Sequence, residues 1–234
     1  MTELLYMNDC YTKEFEAEVI KVDGKFVVLD KTAFYPKGGG QPTDTGKLIR
    51  GNEEFKVVFA KKTGSDVSHE VDKEGLKVGD KVKGVLDWDR RYLLMRNHTA
   101  AHILCEVIHK ATGALITGNQ LDIDKSRIDF SLENFDRDAL AGYAEKANEV
   151  IQKDLPVRIY TMPREEAFKI PSITKLANVL PPAVKKLRIV EIEGFDTQAD
   201  GGTHVKSTKE VGKLIIINAE NKGKNNRRIY YKLS

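Results

Sequence analysis

The stretch Asn97-His98-Thr99-Ala100-Ala101-His102 places two histidines four residues apart. On an α-helix that spacing stacks both side chains on one face. Upstream, Val85 to Met95 contains neither Pro nor Gly; downstream, Ile103, Leu104, Val107 and Ile108 supply an apolar stripe. The pattern predicts a helix that Thr112-Gly113 ends. Two imidazoles on one face are half of a zinc site. The expected source of the other half is Gln198-Ala199-Asp200-Gly201-Gly202-Thr203-His204. His204 offers a third imidazole, and Asp200 a harder carboxylate donor in a Gly-Gly turn that can fold both side chains toward one point. Three protein ligands leave a position open for catalysis, whereas four close the site. No glutamate directly follows His98, so this is not the metalloprotease helix signature.

Other candidates fit plainer roles. Glu106 lies one turn beyond His102, where a general base and a solvated helix face are equal readings. His69 and His109 have no partner at ligand spacing. Cys10 and Cys105 belong to no Cys-x-x-Cys pair, so neither a thiol knuckle nor a disulfide framework is indicated, and Cys105 is expected to be a buried small residue. The loop Phe34 to Gly46 contains Gly38, Gly39 and Gly40 in a row. Such a loop lets main-chain N–H groups approach a ligand, although a barrel turn would use the same glycines. It lacks the Lys-Ser/Thr of a nucleoside-triphosphate loop.

These residues need a scaffold. The chain has 234 residues, 31% charged and 41% hydrophobic, which is the composition of an ordinary globular protein of one large or two small domains. Alternating or apolar runs at Phe15–Val22, Lys25–Asp30, Lys47–Ile49, Phe55–Ala60 and Lys81–Leu86, broken by Gly and Asp turns, predict a small β-barrel over residues 1–86. From Asp87 the period becomes helical. A strand-like run over Leu121–Leu132, a helix starting at Asp136, and strands at Val157–Tyr160, Leu187–Ile192, Leu214–Ile217 and Arg228–Tyr231 give an α+β second domain over 87–234. Met162 to Pro182 holds four of the seven prolines and reads as an irregular excursion with a short helix at Arg164–Phe168. No apolar run is long enough to span a membrane and Met1-Thr2-Glu3 begins no secretory signal, so a reducing cytoplasm is expected.

Four stretches in order resemble one family. They are the Phe34–Gly46 loop, Asn97–His102, Arg127-Ile128-Asp129-Phe130-Ser131 and Gly201–Val205. They are similar to the editing domain of alanyl-tRNA synthetase, and more closely to the free-standing alanyl-tRNA editing proteins of the AlaX group, medium-length type. The resemblance implies a two-layer α/β zinc-binding editing domain with an antiparallel sheet, following the barrel in the chain. It implies hydrolysis, in trans, of the ester joining a wrong amino acid, chiefly serine, to alanine-specific tRNA, and leaves open whether glycine is cleared as well. His98, His102 and His204 carry over as ligands of one zinc ion. The family usually has Cys where this chain has Asp200, so the fourth position falls to Asp200 or to water. Thr99, Gln41 and Asp200 carry over as catalytic groups, with Thr99 facing the amino-acid side chain. Gly38, Gly39, Gly40 and Gln41 carry over toward the tRNA terminus.

A net charge of +3 permits a polyanionic partner without demanding one. Arg90, Arg91 and Arg96, then Lys185, Lys186 and Arg188, then Lys222, Lys224, Arg227 and Arg228, are the clusters available to tRNA phosphates. Two other readings stand beside this one: a zinc hydrolase of a small ester or amide, and a non-catalytic tRNA-binding zinc protein.

Overall fold

The computed structural model describes residues 1–133, 137–171, 173, 175 and 185–234. The chain divides into two compact units, Met1–Leu93 and Leu94–Ser234. The architecture is α+β. Among the described residues no helix is long and apolar enough to cross a membrane.

The first unit contains β1 (Glu3–Leu4), β2 (Glu14–Asp23), β3 (Phe26–Leu29), β4 (Lys31–Thr32), β5 (Gly46–Arg50), β6 (Glu53–Thr63), β7 (Asp66–Val71) and β8 (Lys81–Leu86). Six of these close a barrel in the order β2-β3-β7-β6-β5-β8, and β1 pairs with β4 in parallel. The period of two drives closure. Phe15, Ala17 and Val19 of β2 point inward with Val27, Leu29, Leu48, Phe55, Val57 and Val82, and their polar neighbours face out. Gly84 of β8 is opposite Phe15, whose ring takes the space a side chain would need: a Cβ there would lie 2.3 Å from Phe15 Cζ. The strand β7, absent from the sequence expectation, joins β3 to β6 and completes the barrel.

Two buried polar groups lock this unit. Arg91 is fully buried; its Nε donates to both Asp44 oxygens, at 3.1 and 2.9 Å, and its other nitrogens donate to Cys10 O and Ala33 O. Removing one partner of such a pair strands a buried charge, at a cost of about 3–5 kcal/mol. His69 is buried in the barrel core, with Nδ1 at 3.1 Å from Val27 O and Nε2 at 2.8 Å from Thr32 Oγ1.

The second unit continues α1 (Trp88–Thr112), whose end is marked by the left-handed Gly113. It then contains β9 (Ile116–Gln120), β10 (Ser126–Phe130), α2 (Arg137–Gln152), β11 (Val157–Pro163), α3 (Arg164–Ala167), β12 (Lys186–Ile192), β13 (Asp196–Ala199), β14 (Leu214–Asn221) and β15 (Arg227–Leu233). Among the described residues they form two antiparallel sheets, β14-β15-β10-β9 and β11-β12-β13. From Leu94 to Ile108, α1 is buried on nearly every side, as expected of a central helix. It is tied to the larger sheet by Tyr231, which donates to Asn97 O at 2.8 Å, and by Ser126 Oγ on Asn97 Oδ1 at 3.3 Å. Asn148 clips α2 to β14 through reciprocal 2.8 Å bonds with Leu214.

The strand expected over Leu121–Leu132 is corrected: Leu121 to Lys125 is a turn and the strand begins at Ser126. Asp122 Oδ1 accepts the Ile123 N–H, and Ser126 Oγ accepts the Asp122 N–H; such side-chain bonds compete with a ladder. The helix start proposed at Asp136 lies outside the described residues, as does much of the proline-rich excursion.

Burial pushes His69 down to about 4, against a smaller upward pull from Val27 O. Its folded value lies below the unfolded one, so it contributes stability above about pH 6.5 that is lost as pH falls toward 4. Between pH 7 and 5 that loss is about 2 kcal/mol from this residue alone. Urea midpoints of wild type and His69→Gln at the two pH values check this: the variant should have the shallower pH dependence.

Candidate metal centre

All the residues of the cluster belong to the second unit. His98 and His102 project from one face of α1, and Asp200 and His204 come from the segment after β13. Their ring centroids lie 5.4 Å (His98–His102), 4.3 Å (His98–His204) and 4.8 Å (His102–His204) apart. One donor atom from each of the four residues fits within a 4.8 Å span. Asp200 Oδ1 is 3.1 Å from His204 Nε2, while Oδ2 is 3.5 Å from His98 Nε2 and 4.0 Å from His102 Nε2. Donors about 2.0–2.2 Å from one tetrahedral ion lie roughly 3.4 Å apart, close to the Asp200 separations from His204 and His98, and the four residues form a group that could hold a metal ion. The imidazoles are nearly sealed from solvent, and the Asp200 side chain, 23% exposed, is the side of the cluster open to solvent.

Proton placement strengthens the fit. His102 Nδ1 is 3.2 Å from Asp196 Oδ2. Burial opposes the ionised form of Asp196, but His102 and then Lys175 outweigh it and hold that carboxyl down to about 2. An ionised carboxylate only accepts, so Nδ1 carries the proton, by assignment from its partner. Nε2 of the same ring faces Asp200, 4.0 Å from Oδ2. Burial also raises the Asp200 carboxyl, yet His98 and His204 outweigh this and hold it well below the usual carboxylate range. Burial, followed by His98, pushes His204 well below 6.5. Three imidazoles gathered around an ionised carboxylate form a donor set that could hold a metal ion.

The backbone is shaped for this. A Cβ on Gly202 would sit 2.1 Å from His98 Cε1, so the ring occupies the space that glycine leaves. The Gly202 N–H donates to Asp200 Oδ1 at 2.6 Å, orienting the carboxylate. Arg188 Nη1 holds Asp200 O at 2.9 Å.

Thr99 is fully buried; its hydroxyl lies 3.2 Å from His204 Nδ1 and accepts the Val205 N–H at 3.3 Å. The other nominated residues lie in the first unit. There Gly38 and Gln41 exchange backbone bonds of 3.1 and 2.9 Å, and Gly39 and Gly40 take φ of +57° and +83°, making a tight turn that only glycine pairs enter freely. Gln41 is 1% exposed.

Several residues change role. Glu106 is not a solvated face: it is buried and paired with Lys175 at 2.5 Å and Lys110 at 3.1 Å. Cys105 is buried, and burial raises its thiol, which keeps it protonated. His109 bonds Ala114 O at 2.9 Å. Of the basic residues nominated for phosphate contact, Arg91, Arg188 and Arg227 are buried, and Arg228 forms a two-bond pair with Asp129 at 2.7 and 2.8 Å. Lys185, Lys186, Lys222 and Lys224 are exposed. The sequence reading missed Asp196 and Lys175, and gave Gln198, named within the His204 stretch, no role of its own. Asp196-x-Gln198-x-Asp200 alternates along one strand face and carried a usable signal; Lys175, inside the proline-rich excursion, carried none.

A closed barrel and an α+β unit burying three histidines around an aspartate define a protein able to hold a metal ion. Residues 4–90 match the family described as class II (A) tRNA synthetases, and residues 187–230 the threonyl and alanyl tRNA synthetase second additional domain. The alanyl-tRNA editing protein AlaX-M of Methanosarcina barkeri is 56% identical, over 100% of this chain and 99% of its own length. That of Saccharolobus solfataricus is 49% identical over 99% and 98%. The alanine–tRNA ligase of Ignicoccus hospitalis is 40% identical over 92% of this chain, which spans 24% of that ligase. The chain belongs to the AlaX-M family of alanyl-tRNA editing proteins.

If Asp200 is a ligand, Asp200→Ala should retain clearly less than one zinc per chain after dialysis, measured by elemental analysis. Undiminished zinc would remove it from the ligand set.

Proposed function

We propose that this chain hydrolyses the ester of serine misattached to alanine-specific tRNA, and secondarily that of glycine, working in trans in the cytoplasm. The carrying observation is the buried His98-His102-His204-Asp200 cluster in a chain of the AlaX-M family. His98, His102 and His204 are proposed to hold one zinc ion through Nε2, with Asp200 or water in the fourth position. Bound zinc supplies Lewis acidity at the scissile ester. Asp200 stays ionised at neutral pH, so it is suited to accepting a hydrogen bond and orienting water rather than to removing a proton. In the net reaction the water oxygen forms a bond to the acyl carbon, the ester C–O bond breaks, and the ribose oxygen takes a proton.

Thr99 borders the cluster through His204 and is proposed to read the serine hydroxyl. Alanine, lacking that hydroxyl, would leave a polar group unpaired, a device that can discriminate by roughly 10⁴-fold. Gly38, Gly39, Gly40 and Gln41 are proposed to contact the terminal nucleotide, which assigns substrate positioning to a barrel domain of residues 1–86 and the chemistry to residues 87–234. The exposed Lys185, Lys186, Lys222 and Lys224 are the phosphate contacts we favour, and each would make binding steeper in salt.

Incubation with seryl- and alanyl-esters of the same tRNA tests this. The serine ester should be lost much faster, the loss should stop with chelator, and added zinc should restore it. Equal loss of both esters would overturn the selectivity; loss of neither, with zinc still bound, would favour a binding protein. Thr99→Val should narrow the serine-over-alanine preference by about 10-fold or more; an unchanged ratio would take Thr99 out of the pocket.

A further inference from the structure

Behind His102, on the side away from Asp200, runs a buried chain of charge. His102 Nδ1 meets Asp196 Oδ2 at 3.2 Å, and the other oxygen of Asp196 accepts from Lys175 Nζ. The same ammonium lies 2.5 Å from Glu106 Oε2, one turn beyond His102 on α1. The side chains of Lys175 and Asp196 are each 1% exposed, and that of Glu106 7%. Gln198 Nε2 adds a bond to Asp196 Oδ2 at 2.8 Å. Lysine is almost never this buried unless paired, since an uncompensated ammonium there costs several kcal/mol. Here two carboxylates compensate it; burial alone would lower its pKa, and Asp196 and Glu106 raise it above the usual lysine value instead. Glu106 and His102 share α1, Asp196 opens β13, and the Lys175 carbonyl accepts the Ile116 N–H at 2.8 Å. Three segments thus meet at one ammonium.

We infer that Lys175 and Asp196 are positioning residues for the metal site: Lys175, braced by Glu106, pins Asp196 against His102 Nδ1, which fixes the ring and the tautomer that offers Nε2 to the ion. This rests on the reading of the cluster as a metal site. A carboxylate on the far nitrogen of a ligating histidine orients the ring and raises its basicity, and losing it typically costs 10–100-fold in metal affinity. Lys175 touches none of the four candidate ligands in the contacts described, so any effect on the metal must pass through Asp196.

The test is zinc affinity at fixed pH, by competition with a chromophoric chelator, alongside the thermal midpoint of the zinc-free protein. Asp196→Asn should weaken zinc binding 10–100-fold. Lys175→Met alone strands two buried carboxylates, so it confounds folding with metal binding. Lys175→Met/Glu106→Gln removes one charge of each sign and keeps the net charge of the group. The double variant should fold and bind zinc at least 10-fold more weakly, while Glu106→Gln alone should change affinity less. Zinc affinity within 2-fold of wild type in Asp196→Asn or in the double variant overturns the inference, even if the midpoint falls, because that pattern is a stability role only. Failure of wild type itself to bind zinc would sink the metal reading instead, so the two failures are distinguishable. Cobalt-substituted protein gives a second readout: Asp196→Asn should shift the visible absorption bands, and an unchanged spectrum counts against the inference.

Discussion

A neutral imidazole has one lone pair, and the contacts around His98, His102 and His204 decide where each ring can point. A histidine offers Nε2 to an ion only when Nδ1 holds the proton and something accepts it. Asp196 is that acceptor for His102, and Thr99 Oγ1 is within hydrogen-bond reach of His204 Nδ1. The His98 ring is confined by packing against Gly202. The three rings are aimed by groups that include residues outside the cluster.

The fold supplies these groups economically. A helical step of four places His98 and His102 together, and a strand period of two places Asp196, Gln198 and Asp200 on one face. Those two rules of side-chain direction bring most of the site together. Backbone bonds fix the rest: the Asp200 N–H donates to Arg188 O at 3.1 Å, extending the β12–β13 ladder one residue past β13. The segment then turns through Gly201 and Gly202 to His204.

Local patterns in the chain announced much of this architecture. The alternating barrel strands were legible because burial on one face leaves a period in the residues, and the histidine helix because a long run without Pro or Gly ends at Thr112-Gly113. Strand β9 was not, because Gly118 and Asn119 are weak strand formers held at a sheet edge by pairing with β10. Leu121 to Lys125 showed the reverse, an alternation undone by Asp122 and Ser126 side chains. The meeting of His98, His102, Asp200 and His204 was legible because His-x-x-x-His and Asp-x-x-x-His are spacings with a geometric meaning. Lys175 was not, because its importance comes from where a proline-rich segment returns in space. Arg91 looked like an arginine for phosphate, but its partner Asp44 is 47 residues away and only folding brings them together.

His102 is gripped at both ends by one strand face: Asp196 at Nδ1 and Asp200 toward Nε2, with the ring between them. Strands alternate with a period of two, so a single residue inserted or deleted between 196 and 200 would turn one carboxylate to the opposite face. Sequence drift can therefore change which residues fill Thr197 and Ala199, while the count from Asp196 to Asp200 is fixed. The turn at 193–195 carries no such rule, and length variation in this hairpin is expected to collect there.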